Sequence, residues 1–423
     1  MRDMLIYLSL FCFLGSVCCA ADNIIGELLP QSSDKAKLCW ASSGFKVRPT
    51  QGFPATETNM ILVRAARNEA EAVQLIVLPQ ADLANFNASI SNLKGPKDAV
   101  ILSSSVDILR VHYLKTGQPT DNSTEAGEWP DPLPPLKKNL TLPAGRNQPL
   151  WIRVTVPADI PAGAYQGNIN LSADDFSAKV PITVEVYNFT MPEKSTCTTT
   201  FGFSPKNVWK YQNIKSIEHK RQVLDKYWKN FSAHHISPYE PAPLDSIDIQ
   251  WPDVKALSGE EKSRAKVILN FEQWDEAMER AIDHYKFNSF KLNIPGIGGG
   301  IYHAVSEPVL QGFKEDDPEY MILFGSYCTQ LEKHLAEKGW LDESYVYWFD
   351  EPSPEQYPFV MNGFNKLKQF CPRINRMLTE QPEPGLADGL PGPGPGPGDG
   401  PGTGLPGQAW PNRRGRTRHA RDT

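Results

Sequence analysis

This sequence lacks the features that mark several common classes of protein. The apolar run at residues 5–14 is too short to span a bilayer as a helix. No Gly-x-Ser-x-Gly elbow indicates a serine hydrolase, and no Gly-Lys-Ser/Thr follows the glycines at 296–300 to indicate a phosphate loop. An excess of positive charge is also missing, because the net charge is −6. We therefore expect neither a stable membrane span nor a nucleic-acid partner.

Cysteine is scarce, and its spacing does not indicate a metal site. Only four of the seven cysteines follow residue 20, namely Cys39, Cys197, Cys328 and Cys371. An oxidising compartment could pair these four in three ways. Adjacent histidines at 234 and 235 would point apart on a strand. We therefore expect no metal and no other cofactor.

Residues 1–20 have the pattern of a secretory signal peptide. Arg2 precedes the apolar run, and small residues end the segment at Cys18-Cys19-Ala20. The alternative is a buried N-terminal strand. A signal peptide predicts a secreted or extracellular protein, or a lysosomal or periplasmic one, depending on the host. Glycosylation would then be possible at six Asn-x-Ser/Thr sequons, which begin at Asn87, Asn122, Asn139, Asn170, Asn188 and Asn230.

The pattern of apolar residues divides the rest of the chain in two. Residues 21–192 contain short extended runs separated by Pro and Gly, which predicts an antiparallel β-sandwich with a turn at 162–167. From residue 193 onwards strands alternate with helices, which predicts a parallel sheet. Predicted strands lie at 198–203, 235–239, 290–294, 345–349 and 376–379. Predicted helices lie at 217–231, 271–282, 320–335 and 358–370.

A (β/α) barrel at residues 193–382 is preferred over a doubly wound open sheet. Polar residues recur at the ends of the predicted strands, and a barrel brings strand ends together on one face. From residue 383 the sequence becomes rich in Gly and Pro and then basic, a composition that predicts a disordered tail. A barrel needs eight strands. We therefore expect a barrel that is truncated after about five strands, in a chain that is incomplete or carries a foreign tail.

The stretch at residues 344–354 combines a buried strand with two carboxylates. The β-branched and aromatic run from Tyr345 to Phe349 predicts a strand inside a sheet. Asp350 and Glu351 follow at once, and Pro352 ends the strand. Two carboxylates at the carboxyl end of a buried strand indicate a catalytic site. The simpler alternative is an exposed acidic turn that caps the next helix.

Several motifs occur in an order that resembles glycoside hydrolase family 123. They are Arg67-Asn-Glu-Ala-Glu-Ala-Val-Gln74, Gln148-Pro-Leu-Trp-Ile152 with Gly163-Ala-Tyr-Gln-Gly167, Phe287-Asn-Ser-Phe290, Ile294-Pro-Gly-Ile-Gly-Gly-Gly300 and Trp348-Phe-Asp-Glu-Pro352. The resemblance covers residues 23–380. It implies a sandwich domain ahead of a barrel, and an activity as a β-N-acetylgalactosaminidase on glycans or glycolipids.

The resemblance also implies roles for the paired acids in a retaining, substrate-assisted mechanism. Asp350 would hold and orient the 2-acetamido group of the sugar, whose carbonyl attacks the anomeric carbon. Glu351, kept protonated by a raised pKa, would act as general acid and then as general base. Candidate sugar-binding residues at the strand ends and nearby loops are Trp348, Tyr239, Asn293, Tyr302, His303 and Glu380, although packing or loop exposure would explain each of them equally well.

Two other functions compete with this interpretation. One is a non-catalytic protein that binds glycans or belongs to a matrix, which the Gly/Pro tail favours and the intact Asp350-Glu351 pair does not. The other is a related β-N-acetylhexosaminidase with N-acetylglucosamine specificity, because the two sugars differ in the orientation of one hydroxyl group.

Overall fold

The computed structural model describes residues 26–54, 56–119, 125–380 and 386. The predicted signal peptide, the sequon at Asn122 and all of the predicted tail except Leu386 lie outside the described residues. The chain divides into two compact units between Glu193 and Lys194. No helix in the described part of the chain is long and apolar enough to cross a membrane.

The first unit is built from short and medium β-strands. In chain order they are β1 (Glu27–Leu28), β2 (Ala36–Ser42), β3 (Ile61–Arg67), β4 (Glu69–Pro79), β5 (Leu83–Ile90), β6 (Leu93–Lys94), β7 (Val100–Ile101), β8 (Val106–Arg110), β9 (Tyr113–Thr116), β10 (Gly127–Pro130), β11 (Leu140–Leu142), β12 (Gln148–Val156), β13 (Gly163–Ala173) and β14 (Phe176–Thr190).

Two of its sheets enclose one hydrophobic core. The first has the order β1-β2-β4-β12-β8 and the second has the order β11-β5-β13-β14-β3. Alternate residues of both sheets point inwards, so Leu75 and Ile152 from the first meet Tyr165 and Val184 from the second, all fully buried. The unit is therefore a β-sandwich.

Two details of the predicted sandwich are wrong. The pair β3 and β14 is parallel, so the sandwich is not wholly antiparallel. The predicted turn at 162–167 lies mostly inside β13, which pairs along its whole length with β14. Its glycines serve close packing there, because a Cβ on Gly167 would lie 2.5 Å from the side chain of Leu93.

The second unit combines helices with short strands. The helices are α1 (Pro205–Tyr211), α2 (Ile217–Ala233), α3 (Gly259–Ser263), α4 (Glu272–Glu279), α5 (Pro318–Lys338) and α6 (Tyr357–Phe370). The strands are β15 (Asp248–Gln250), β16 (Ile268–Asn270), β17 (Phe290–Leu292), β18 (Gly299–Ile301), β19 (Ala304–Ser306), β20 (Val309–Leu310), β21 (Phe313–Lys314), β22 (Ser344–Val346), β23 (Phe349–Asp350) and β24 (Asn375–Arg376).

A parallel sheet with the order β17-β22-β24 forms the centre of this unit. Backbone hydrogen bonds continue it on one side, where Lys291 N–H donates to Tyr239 C=O at 2.8 Å and Tyr239 N–H donates to Phe201 C=O at 3.0 Å. The predicted strands at 198–203 and 235–239 are not continuous strands in the structure. They pair through an isolated parallel bridge between Phe201 and Pro238. The described residues thus form five adjacent parallel segments, and they do not show a closed (β/α) barrel.

The long helices lie where the apolar spacing predicted them, whereas one predicted strand is divided. Helix α5 ends at Gly339, whose positive φ of 75° suits a left-handed cap. The strand predicted at 345–349 is split, because β22 pairs with β17 and β24 while β23 pairs with β18 of another small sheet. This break reverses the direction of the side chains that follow it.

Candidate functional site

A cavity of about 370 Å³ lies at the carboxyl ends of the parallel segments of the second unit. Backbone or side-chain atoms from three of these segments and from the glycine-rich loop before β18 form its wall. The lining residues are Tyr239, Lys291, Leu292, Asn293, Ile294, Ile297, Gly298, Gly300, Tyr347, Trp348, Phe349 and Asp350. Its position is the one at which parallel β/α folds bind their ligands.

The carboxylate of Asp350 is held on the wall of this cavity by two hydroxyl groups. Tyr347 Oη donates to Oδ1 at 2.6 Å, and Thr379 Oγ1 donates to the same oxygen at 2.5 Å. Among the residues that the structure describes, none forms a hydrogen bond to Oδ2. The Asp350 side chain is therefore fixed through one oxygen, and the other remains available to a ligand.

These hydrogen bonds also affect the protonation of Asp350 and Tyr347. The bond from Thr379, together with the bond from Tyr347, holds the pKa of the Asp350 carboxyl below its usual value, because both stabilise the anion. Burial raises the pKa of the Tyr347 phenol to about 12, and its hydrogen bond to the Asp350 anion adds to the effect. At neutral pH Asp350 is thus an anion and Tyr347 is a neutral donor.

Glu351 leaves the strand immediately after Asp350. Its φ of 44° lies in the left-handed region, which costs about 1–2 kcal/mol for a residue other than glycine. Its N–H donates to Thr379 Oγ1 at 3.3 Å, so one hydroxyl group contacts both acidic residues. The Glu351 side chain is exposed and is not part of the cavity wall. A turn, rather than strand alternation, therefore separates the two carboxylates.

Tyr239 and Asn293, from neighbouring segments, also line the cavity. Asn293 Nδ2 donates to Glu240 Oε1 at 2.6 Å. The ring of Tyr239 contacts the ring of Tyr347 edge to face, with centroids 5.9 Å apart. The ammonium group of Lys291 lies 5.5 Å from the centre of the Tyr239 ring. The cavity wall thus combines an aromatic face with neutral and charged polar groups.

The side chain of Trp348 packs on the helix side of the sheet. A Cβ on Gly363 of α6 would lie 2.2 Å from Trp348 Cζ2, and the indole also contacts the ring of Phe359 at 5.6 Å. Its Nε1 is buried without a hydrogen-bond partner among the described residues. Trp348 is thus placed as a packing residue that borders the cavity.

The remaining predicted binding residues lie at the edges of the site. Tyr302 and His303 form the exposed tip of the β18–β19 hairpin, with their rings 4.6 Å apart. Gln356 Nε2 donates to the carbonyl groups of Ile301 and Tyr302, each at 3.3 Å. Glu380 is half-buried and follows Thr379 directly. Ile301 pairs with Asp350 in parallel register, so the hairpin adjoins the acidic pair.

Comparison with known proteins gives this geometry a context. Residues 40–173 match the family model described as the glycoside hydrolase 123 N-terminal domain. A family 123 glycoside hydrolase from Clostridium perfringens, solved to examine glycolipid glycan hydrolysis, has a similar structure, with a TM-score of 0.57 and 14% sequence identity. The alignment covers 81% of this chain and 67% of that chain. Residues 40–173 are thus related to the N-terminal domain of glycoside hydrolase family 123, and the chain is similar in fold to a family 123 enzyme.

Other solved structures resemble less of the chain. A FixG-related protein from Vibrio parahaemolyticus aligns with 36% of this chain and 98% of its own, at a TM-score of 0.19 and 11% identity. A PapD-like domain of human CEP192 aligns with 38% of this chain and 90% of its own, at a TM-score of 0.21 and 8% identity. A search of curated protein sequences found no match.

Sequence reasoning missed three polar residues of this site, namely Tyr347, Thr379 and Lys291. Thr379 ends the fifth predicted strand. Glu380 was chosen because it is a polar residue at a strand end, and the same reasoning could have chosen Thr379. Tyr347 carried no such signal, because in an unbroken strand it would face away from Asp350. No group of three or more His, Cys, Asp or Glu within the described ranges could hold a metal ion.

Proposed function

We propose that this chain is a secreted, retaining exo-glycosidase that removes terminal β-linked N-acetylgalactosamine from glycans or glycolipids. The observation that carries the proposal is the Asp350 carboxylate on the wall of a cavity of about 370 Å³, fixed through Oδ1, with no hydrogen bond to Oδ2 from the described residues. The relation to family 123 supports a glycoside hydrolase. In this proposal the five parallel segments are part of a (β/α) barrel.

The chemistry uses the acetamido group of the sugar as its nucleophile. Asp350 Oδ2 accepts the amide N–H, which orients the amide carbonyl oxygen towards the anomeric carbon and stabilises positive charge on the group. The carbonyl oxygen bonds to C1, and the bond from C1 to the leaving oxygen breaks. Glu351 in its acid form gives a proton to that oxygen. The product of this step is a bicyclic oxazolinium ion.

The second step restores the acetamido group. Water attacks C1, the bond between C1 and the amide oxygen breaks, and Glu351 accepts the proton from water. Two inversions at C1 give overall retention of configuration. Glu351 is the candidate for this role because it follows Asp350 directly and its N–H donates to the Thr379 hydroxyl that also holds Asp350.

Replacement of Glu351 tests the proposal directly. Wild type should release N-acetylgalactosamine from a methyl β-glycoside and from a nitrophenyl β-glycoside. Glu351→Gln should lower kcat/KM on the methyl glycoside by about 10²- to 10⁴-fold, the usual contribution of general acid catalysis. The loss on the nitrophenyl glycoside should be smaller, because nitrophenolate leaves without a proton.

The matched control is Glu276→Gln, which neutralises an exposed glutamate on α4 and should behave like wild type. Proton NMR of the first product should show the β-anomer. The proposal fails if wild type hydrolyses none of these glycosides, or if Glu351→Gln and Glu276→Gln have the same activity. Hydrolysis of the corresponding β-N-acetylglucosaminides alone would favour the related hexosaminidase.

A further inference from the structure

Lys291 presents an ammonium group to the cavity without a hydrogen-bond partner. Its side chain is only 20% exposed and lines the cavity wall. The nearest carboxylate oxygen, Glu240 Oε1, is 3.9 Å from Nζ, which is too far for a hydrogen bond. No described residue accepts a hydrogen bond from this group. The ammonium group forms an ion pair with Glu240 at 3.9 Å and lies 5.5 Å from the centre of the Tyr239 ring, so its three N–H donors remain available to a ligand or to water.

Acceptor oxygens lie beside this donor. Asn293 Nδ2 donates to Glu240 Oε1 at 2.6 Å, which fixes the side-chain amide of Asn293. Its Oδ1 and the second oxygen of Glu240 receive no hydrogen bond from the described residues. This group therefore offers one cationic donor, from Lys291, and at least two acceptors, from Glu240 and Asn293. Both Lys291 and Asn293 line the cavity.

This combination matches hydroxyl groups better than an anionic substituent. Each sugar hydroxyl both donates and accepts a hydrogen bond, so a pair of neighbouring hydroxyls needs donors and acceptors side by side. A sulfate or carboxylate would instead be repelled by Glu240 and by ionised Asp350. In a β-linked N-acetylhexosamine C1 bears the leaving group and C2 bears the acetamido group, so the free vicinal hydroxyls are those on C3 and C4.

We propose that Lys291, with Asn293 positioned by Glu240, binds the C3 and C4 hydroxyls of the terminal sugar and thereby selects its configuration at C4. This inference rests on the proposed function, because it takes the sugar to be an N-acetylhexosamine whose acetamido group is held by Asp350. Lys291 is then a specificity-determining residue, and Glu240 is a positioning residue that acts through Asn293.

The test compares binding of N-acetylgalactosamine with binding of its 3-deoxy and 4-deoxy analogues. The affinity of each sugar for the full chain is measured by NMR titration. Lys291→Met keeps most of the side-chain volume and removes the ammonium group. It should weaken binding of N-acetylgalactosamine by about tenfold or more, as expected for a lost hydrogen bond from a charged group. For at least one deoxy analogue the same substitution should change the affinity less than twofold.

Two further variants separate recognition from folding. Lys266→Met removes an exposed lysine of the same unit and should bind all three sugars like wild type. Glu240→Gln should reduce the preference for N-acetylgalactosamine over N-acetylglucosamine, because Asn293 loses its charged partner. The inference is overturned if wild type binds no N-acetylgalactosamine, or if Lys291→Met changes the affinity for all three sugars by the same factor or not at all. Binding without hydrolysis would instead overturn the proposed function alone.

Discussion

Asp350 is controlled by residues from two segments that are distant in sequence. Tyr347 comes from the irregular backbone between β22 and β23, and Thr379 comes from the segment after β24. Both donate to one carboxylate oxygen, so they stabilise the anion and restrict the rotation of the side chain. A carboxylate fixed in this way can act as a stationary acceptor for an amide, because it needs no reorganisation when the ligand binds.

Loss of the Thr379 hydroxyl should move the acid limb of the pH profile. Thr379→Val removes the hydrogen bond that contributes most to the lowered pKa of Asp350, so that pKa should rise. The proposed reaction needs ionised Asp350, and ionisation is lost as the pH falls through its pKa. The acid limb of kcat/KM on a β-N-acetylgalactosaminide should therefore lie at higher pH in the variant than in wild type.

The matched control is Thr329→Val on α5, where the hydroxyl donates to the carbonyl group of Phe370. This variant should retain the wild-type acid limb. Tyr347→Phe should move the limb in the same direction as Thr379→Val, because it removes the second donor. An identical limb in wild type, Thr379→Val and Tyr347→Phe would show that Asp350 does not control the reaction.

The sequence predicted Asp350 but not the groups that hold it. A strand end followed by acidic residues is a local pattern that singled out Asp350, and the structure has this residue on the cavity wall. The contact with Thr379 joins residues 29 positions apart and depends on how β23 and the last described segment lie side by side. Lys291 was missed for the same reason, because only the folded sheet shows that its ammonium group lacks a hydrogen bond.

Packing between α6 and the sheet explains why β22 and β23 are separate strands. The indole of Trp348 fills the space left by the missing side chain of Gly363, and the ring of Phe349 is fully buried in the same core. Two consecutive residues cannot face the same core in a regular strand, because side chains alternate. The regular alternation is therefore interrupted between β22 and β23, and Tyr347 and Asp350, which would face opposite sides of a regular strand, form a hydrogen bond.

A side chain at position 363 should destabilise the second unit. The Cβ of Gly363→Ala would lie 2.2 Å from Trp348 Cζ2, and such overpacking costs about 1–3 kcal/mol. Alanine recovers about 1 kcal/mol of helix propensity, so we expect a net loss of up to about 2 kcal/mol in the free energy of unfolding. Urea denaturation followed by tryptophan fluorescence measures it.

Asn365→Ala provides the comparison on the same helix, since Asn365 is exposed. It should change the free energy of unfolding by no more than about 0.5 kcal/mol in either direction. If Gly363→Ala is as stable as Asn365→Ala, the indole of Trp348 has room to move, and close packing does not explain the broken strand.

A buried lysine connects the helices to the glycine-rich loop of the cavity. Lys366 Nζ pairs with Glu315 Oε1 at 2.7 Å and donates to Tyr320 Oη at 3.1 Å. Tyr320 Oη in turn donates to the carbonyl group of Gly296 at 2.9 Å. Each polar group in this series has a partner, as buried groups require. The loop that lines the cavity is thus held from the side of α5 and α6.

The sequence predicted helices better than strands in this unit for a physical reason. The residues that define α2, α5 and α6 recur at helical spacing within a single segment, so each pattern is local. The strands are only two or three residues long, and their limits depend on which neighbour supplies the hydrogen bonds. Alternation of strand and helix indicated a parallel sheet, but it does not reveal where pairing stops.

Each of the two units contains its own hydrophobic core. The buried residues of the sandwich core all lie between Leu29 and Val186, whereas the main core of the second unit runs from Val254 to Leu386. A segment that buries its own apolar residues meets the physical requirement for folding alone. The family model also lies within the first unit, at residues 40–173. The sandwich is therefore a self-contained module.

We expect residues 21–193 to fold as an isolated fragment. It should give a β-type circular dichroism spectrum and one cooperative thermal transition, because both sheets and the whole of their shared core are present. Within the fragment, Ile152→Ala should lower the free energy of unfolding by about 2–5 kcal/mol, since Ile152 is fully buried. Thr155→Ala, at an exposed position of the same strand, should cost less than about 1 kcal/mol. A broad transition, or equal effects of the two substitutions, would mean that the sandwich needs the second unit to pack its core.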